Sequence, residues 1–391
     1  MDIYLVGGAV RDQLLGRPVK DRDWVVVGAT PQEMLDWGFK QVGADFPVFL
    51  HPETGEEYAL ARTERKQGQG YHGFVVHSEP DVTLEDDLRR RDLTINAMAQ
   101  AGDGQIIDPF NGRQDLEARR LRHVSPAFAE DPLRILRVAR FAARLAPLGF
   151  RVADDTLALM RSMAEAGEVE HLVAERVWQE IQRALLEADP GVFFRVLQQC
   201  GALETLMPPL ADALGSQRRP TTLQALDAAS RHGDRIAVRY AALVAGLGDG
   251  NLVDTLSERL KTPNDCRDLA RLLADTVDDL LEDAPRDADL LMALLDRTDA
   301  WRRPERFTDL LDAAEALGQA RSQVLDRGPV EIALRQAKTV DPQALMAEGY
   351  TGKALGEAIR QTRLERIRQV LAPPAANDPA APSPDGSSPY D

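Results

Sequence analysis

Asp21 and Asp23 stand two residues apart in Lys20-Asp21-Arg22-Asp23-Trp24-Val25-Val26-Val27, where an apolar run begins. An extended chain places residues i and i+2 on one face. Two hard carboxylates side by side can hold Mg2+, which takes carboxylates together with substrate phosphates. Paired metals clamp the attacking and leaving oxygens of an in-line phosphoryl transfer. Upstream, Gly7-Gly8-Ala9-Val10-Arg11-Asp12 follows the apolar Ile3–Val6 and opens a helix-like segment. Glycines at a strand-to-helix turn let backbone N–H groups approach a phosphate closely. Arg11, in the first turn, can fork onto a phosphate oxygen.

Two basic stretches follow. Arg89-Arg90-Arg91-Asp92-Leu93-Thr94-Ile95-Asn96-Ala97 has a helix-like pattern with a basic start. Glu130-Asp131-Pro132-Leu133-Arg134 leads into a run ending at Arg144, and Pro132 after two acids marks a helix start. At about 100° per residue, Arg134, Arg137, Arg140 and Arg144 share one stripe. Ile135, Leu136, Val138, Ala139 and Ala142 share the other side. An amphipathic surface helix accounts for the periodicity but not for nearly every polar position being arginine. A solvated basic face is the plain alternative for Arg91 and for Arg119, Arg120 and Arg122.

The order of strand, glycine turn with Arg-Asp, short helix and Asp-x-Asp resembles the DNA polymerase β-type nucleotidyltransferase superfamily. Within it, the chain resembles the class II tRNA nucleotidyltransferase and bacterial poly(A) polymerase family. The resemblance implies that Asp21 and Asp23 are the metal-binding catalytic carboxylates and that Gly8 and Arg11 hold the triphosphate. Superfamily members carry a third carboxylate on a neighbouring strand. Glu57, opening Glu57-Tyr58-Ala59-Leu60-Ala61-Arg62, is the candidate, with a solvent-facing strand residue as the alternative. Arg91 matches the second arginine of the family's Arg-Arg-Asp motif, which contacts the nucleotide, and Asn96 would orient the sugar or the motif itself. Asp131 and Arg134 match the Glu-Asp-x-x-Arg motif that serves as the protein's template for the incoming base. Arg137 and Arg140 join the nucleotide-binding set on the same stripe.

Hydrogen-bond chemistry makes that role reasonable. Cytosine and adenine each present an amino donor beside a ring-nitrogen acceptor. Guanine and uracil present an oxygen acceptor beside an N–H donor. An ionised Asp131 can only accept and Arg134 can only donate, so together they match C and A and mismatch G and U. An unmatched polar pair in a closed pocket costs about 1–3 kcal/mol per group.

The elements that must position these residues form an α+β chain. Strand-like runs are Ile3–Val6, Trp24–Val27, Pro47–Leu50 and Glu57–Ala61. Helix-like segments are Val10–Leu15, Pro31–Trp37 and Leu84–Met98. Lys66–Gly73 is glycine-rich and reads as a loop. Beyond about residue 114 helical periodicity takes over. The expected division is a polymerase β-like head with a mixed sheet at 1–113 and a helical neck with the base-reading motif at 114–205. A helical body follows at 206–330, then a helical tail at 331–371. Residues 372–391, rich in Pro, Ala, Ser and Asp, cannot bury enough apolar surface to fold.

The 391 residues carry a net charge of −16, which by itself argues against a nucleic-acid partner. Phosphate contacts are local, however, and basic residues cluster between Arg89 and Arg144. Two cysteines far apart, Cys200 and Cys266, fit a reducing, cytoplasmic setting. No apolar run reaches the ~20 residues of a membrane span.

The later chain resembles the body of the long bacterial tRNA nucleotidyltransferases through Asp299-Ala300-Trp301-Arg302-Arg303-Pro304 and Glu348-Gly349-Tyr350-Thr351-Gly352-Lys353. Many of those relatives carry an HD phosphohydrolase domain there. This chain reads Thr221-Thr222-Leu223 and Gly246-Leu247-Gly248-Asp249 where its histidines belong, and has no histidine beyond His232. The expectation is a degenerate HD-like scaffold without phosphatase or phosphodiesterase activity. The activity implied is template-independent addition of CCA to tRNA from CTP and ATP with Mg2+. Alternatives are a poly(A) polymerase, a CC- or A-adding specialist, or a non-catalytic RNA-binding module.

Overall fold

Strict alternation in two short strands lays out the sheet. In β1 (Asp2–Val6), Ile3 and Leu5 face one side and Tyr4 and Val6 the other; in β2 (Asp23–Val27), Trp24 and Val26 oppose Val25 and Val27. The computed structural model describes residues 1–42, 48–66, 74–216, 219–282 and 286–372. One face is covered by α1 (Gly8–Leu14) and α2 (Pro31–Asp36) through Ala9, Val10 and Met34. Each fully buried aliphatic side chain is worth roughly 1.5–3 kcal/mol. A one-residue slip would turn every one of them to the wrong side, so the register is firmly held.

The remaining strands are β3 (Lys40–Val42), β4 (Val48–Leu50), β5 (Glu57–Leu60), a separate β6–β7 pair (Thr63–Lys66 and Phe74–His77), β8 (Ala99–Gln100) and β9 (Ile106–Ile107). The main sheet runs β3-β4-β5-β2-β1-β8-β9. β2 and β5 are parallel, and the other neighbours are antiparallel. This is the expected mixed sheet. The expected loop at 66–73 begins in β6 at Lys66, and its residues 67–73 lie outside the described residues.

The expected helix Leu84–Met98 is broken. α3 spans only Leu84–Arg89, opened by a capping box in which Thr83 Oγ1 accepts the Asp86 N–H at 3.2 Å. Beyond it, the Thr94 N–H donates to the Arg122 carbonyl at 2.9 Å and Leu93 bridges His123. Those long-range bonds replace helical ones. A short 3-10 turn at Thr94–Asn96 then feeds β8. Gly112 opens α4 (Gly112–Glu117) against that turn, where a Cβ would lie 2.3 Å from the Thr94 carbonyl.

Past residue 114 come a two-residue parallel pair, β10 (Arg120–Leu121) and β11 (Arg151–Val152), and then helices. α5 (Leu133–Leu145) buries Ile135, Leu136, Val138, Ala139 and Ala142 as expected. It packs against α7 (Ala174–Leu185) and α8 (Pro190–Gln199), with α6 (Asp154–Glu165) between α5 and α7 in sequence. Two compact units emerge: Met1–Asp275 with Asp309–Gln323, and Thr276–Thr308 with the chain from Val324. The divisions expected at 113 and 205 fall inside the first unit. The second unit is helical, and within it Arg363 lies over the Trp301 ring at 4.1 Å. Both cysteines are buried and unbridged. No helix among the described residues is long and apolar enough to cross a membrane. The tail beyond Ala372 lies outside the described residues.

Candidate active site

Antiparallel pairing of β1 with β2 sets Val6 opposite Asp23, so the Gly7-Gly8 turn emerges beside the acidic end of β2. Gly7 adopts φ +70°, and a Cβ there would lie 3.0 Å from Arg91 Nη1. Glycine is therefore required both by backbone conformation and by the close approach of an arginine. Around this turn opens a cleft of about 530 Å³. Gly7, Gly8, Arg11, Asp21, Asp23 and Arg91 line it together with Asp131, Arg134, Arg137 and Arg140.

Nine of the ten residues singled out in sequence thus converge on one cavity. Glu57 is the exception. It sits opposite Asp23 in parallel register, on the same face of the sheet, but it is exposed and outside the cleft lining. Burial pushes the Asp23 carboxyl above its usual range, Arg91 pulls it back and the neighbouring Asp21 raises it again. Desolvation is the larger cause, and the like charge of Asp21 adds to it. Ten basic side chains line the cleft against five carboxylates, so a chain of net negative charge presents a locally positive cavity.

The arginines are more firmly held than their spacing suggests. Arg11 is 2% exposed; its Nε and Nη2 grip Asp12 at 2.9 and 3.1 Å, and its Nη1 donates to Asn96 Oδ1 at 2.7 Å. Arg137 donates through Nε to Asp92 Oδ2 at 2.9 Å, and Arg140 through Nε to Glu180 at 2.7 Å. The Phe141 ring lies among Arg11, Arg137 and Arg140, with Arg140 at 4.8 Å from its centroid. Arg134 sends Nη1 to the Ala127 carbonyl at 2.7 Å and Nη2 to the Arg90 carbonyl at 2.6 Å. Asp131 Oδ1 accepts the Leu133 N–H at 3.0 Å at the start of α5, while Oδ2 is 3.9 Å from Arg176. Expectation and structure agree on position; they differ in that these guanidiniums are already paired.

Sequence reasoning missed Phe141, Arg62 and Arg176 as cleft residues, and the anchors Asp87 and Glu180. Glu180 meets Arg140 across 40 residues of chain, which no local pattern exposes, whereas Asp87 stands three and four residues before Arg90 and Arg91, a helical spacing that was legible in the sequence. Asp92 is a third anchor, gripping Arg137. Burial alone would raise its carboxyl, but Arg137 and the Asn96 amide outweigh it and hold it at about 2. Unfolded, the group titrates near 3.9, so roughly 2 kcal/mol of stability is present above about pH 4 and is lost as pH falls toward 2. The gap in urea stability between wild type and Asp92→Asn is expected to be wide at pH 7 and to narrow at pH 3. A gap independent of pH would mean the ion pair is not what Asp92 contributes.

In the region expected to be degenerate, His232, Asp312 and Glu315 bring ligand-type atoms within 4.8 Å of one another. Arg235 donates there to Asp312, Asp309 and the His232 carbonyl, so a guanidinium already supplies the positive charge.

Residues 3–122 match the family described as the poly A polymerase head domain, and 149–214 that described as the probable RNA and SrmB-binding site of polymerase A. A CCA-adding enzyme of Marinobacter nauticus is 56% identical over 374 residues, covering 95% of this chain and 99% of the relative. The chain belongs to the CCA-adding enzyme family. Its head match runs past the expected boundary at 113 to include β10. The CCA-adding enzyme of Bacillus stearothermophilus, solved with CTP, has a TM-score of 0.70 at 25% identity, covering 94% of this chain and 89% of its own. The fold is also that of the Thermotoga maritima CCA-adding enzyme complexed with tRNA, at a TM-score of 0.67 and 24% identity, over 95% of this chain and 90% of its own. As a member of the CCA-adding family, the protein is a nucleotidyltransferase.

Proposed function

We propose that this protein adds and repairs the 3′-terminal CCA of tRNA from CTP and ATP, without a nucleic-acid template. The convergence of the Asp21–Asp23 pair, the glycine turn and the Asp131–Arg134 pair on one cleft carries the reading. Two hard carboxylates at the cleft suit a divalent cation of the Mg2+ class. Asp21 and Asp23 would hold it. When bound, Mg2+ lowers the pKa of the attacking hydroxyl and neutralises charge on the leaving group.

The tRNA 3′-oxygen forms a bond to the α-phosphorus as the bond to the β-phosphate oxygen breaks, releasing pyrophosphate. Arg91, held by Asp87 through Nε and Nη2, keeps its Nη1 edge over the Gly7 turn to receive triphosphate charge. Arg11 supports the site differently from a phosphate fork, by tying α1 to Asn96 beneath the turn. Asp131 accepts and Arg134 donates toward the base edge, which selects C and A. The deciding experiment incubates pure protein with tRNA lacking CCA, Mg2+, and CTP, ATP or both. Both nucleotides together are expected to yield complete CCA ends. ATP-only tailing with no use of CTP would instead identify a poly(A) polymerase.

A further inference from the structure

Asp87 is a fully buried carboxylate that does not line the cleft, yet it holds two arginines that do. Its Oδ1 accepts from Arg90 Nε at 3.1 Å and Nη2 at 2.7 Å, and from the Arg62 N–H at 3.3 Å. Its Oδ2 accepts from Arg91 Nε at 3.3 Å and Nη2 at 3.1 Å. Arg90 Nε also donates to the Arg62 carbonyl at 3.0 Å, tying the end of α3 to the chain leaving β5. The carbonyl of Arg90 is in turn the acceptor for Arg134 Nη2. One side chain therefore connects the sheet, the arginine over the glycine turn and the seat of the arginine facing the base.

Stability is a poor reason for this arrangement. Removing a carboxylate wholly from water usually costs more than its ion pairs return over an apolar replacement. Burial would lift the Asp87 carboxyl, but Arg90 and Arg91 outweigh it and keep the group ionised. What the arrangement secures is geometry. A guanidinium gripped through Nε and Nη2 by one oxygen cannot swing, and the Arg90 peptide cannot move without moving the Arg134 contact.

We propose that Asp87 is a positioning residue that sets Arg91 over the Gly7 turn and the Arg90 carbonyl under Arg134, so that triphosphate binding and base selection share one register. This rests on the reading of Asp131 and Arg134 as the base-selecting pair. Asp87→Asn keeps the shape but can no longer balance two cations. On tRNA lacking CCA, its kcat/KM for CTP is expected to fall roughly 10–100-fold, chiefly in kcat. Its preference for CTP over UTP is expected to fall about tenfold.

A purely structural role would lower the melting temperature and the active fraction but leave that preference as in wild type. If the Asn variant does not fold, Asp87→Glu, which keeps the charge but lengthens the arm, is read on the same ratio. A wild-type CTP:UTP ratio in a folded Asp87 variant overturns the proposal. Arg134→Ala run in parallel separates the two ideas. If it relaxes the ratio while the Asp87 variants do not, the positioning role alone fails. If Arg134→Ala leaves the ratio unchanged, the base-selecting reading fails and takes the positioning role with it.

Discussion

Asp21→Ala and Asp23→Ala are each expected to lower the rate of nucleotide addition by about a thousandfold or more, because each removes one of the two carboxylates that would hold the cation. Both residues are solvent-exposed and line the cleft, so neither loss opens a core cavity. Although solvent reaches Asp23, partial desolvation by the surrounding chain and the charge of Asp21 disfavour its ionised form more than Arg91 favours it, so removing it should leave the melting temperature unchanged or slightly higher. Single-turnover incorporation of CTP into tRNA lacking CCA, read beside a thermal melt, tests both halves. Full-speed addition by either variant would remove the basis for placing the chemistry at β2. The same assay decides Glu57: an Ala variant with wild-type rate makes it a solvent-facing strand residue, as its exposure suggests.

The second large effect is on selectivity. Asp131→Asn keeps the Oδ1 that accepts the Leu133 N–H but converts an acceptor-only group into one that also donates. Incoming cytosine and adenine then meet a donor with their own amino groups. A loss of roughly 10–100-fold in kcat/KM for CTP and ATP is expected, with UTP and GTP gaining relative to them. Because the bond to the Leu133 N–H survives, stability should change by less than about 1 kcal/mol. Competition between labelled CTP and UTP on one tRNA reads the ratio directly. Equal losses for all four nucleotides would mean that Asp131 holds α5 in place and does not read the base.

Both predictions concern residues that short-range pattern exposes. Asp21 and Asp23 are two apart because an extended chain repeats every two residues, and Arg134, Arg137 and Arg140 are three apart because a helix nearly repeats there. Such patterns survive in a one-dimensional reading. The pairing of those arginines does not. Arg137 finds Asp92 across 45 residues and Arg140 finds Glu180 across 40, and nothing in either segment announces its partner.

The broken helix after Arg89 shows the same limit from the other side. Local pattern favoured continuing to Met98. Bonds from residues 93 and 94 to the chain at 122 and 123 won instead, and they also bury Asp92 where Arg137 reaches it.

By itself, the chain's order of residues determined the sheet-and-glycine frame, the acidic pair on β2 and the arginine stripe on α5, because each depends on backbone periods spanning a few residues. Only the tertiary structure decided which charges are free to meet a nucleotide and which are consumed in holding one another. Burial and ion pairing join positions far apart in sequence, and desolvation gives them their strength only once the fold has closed.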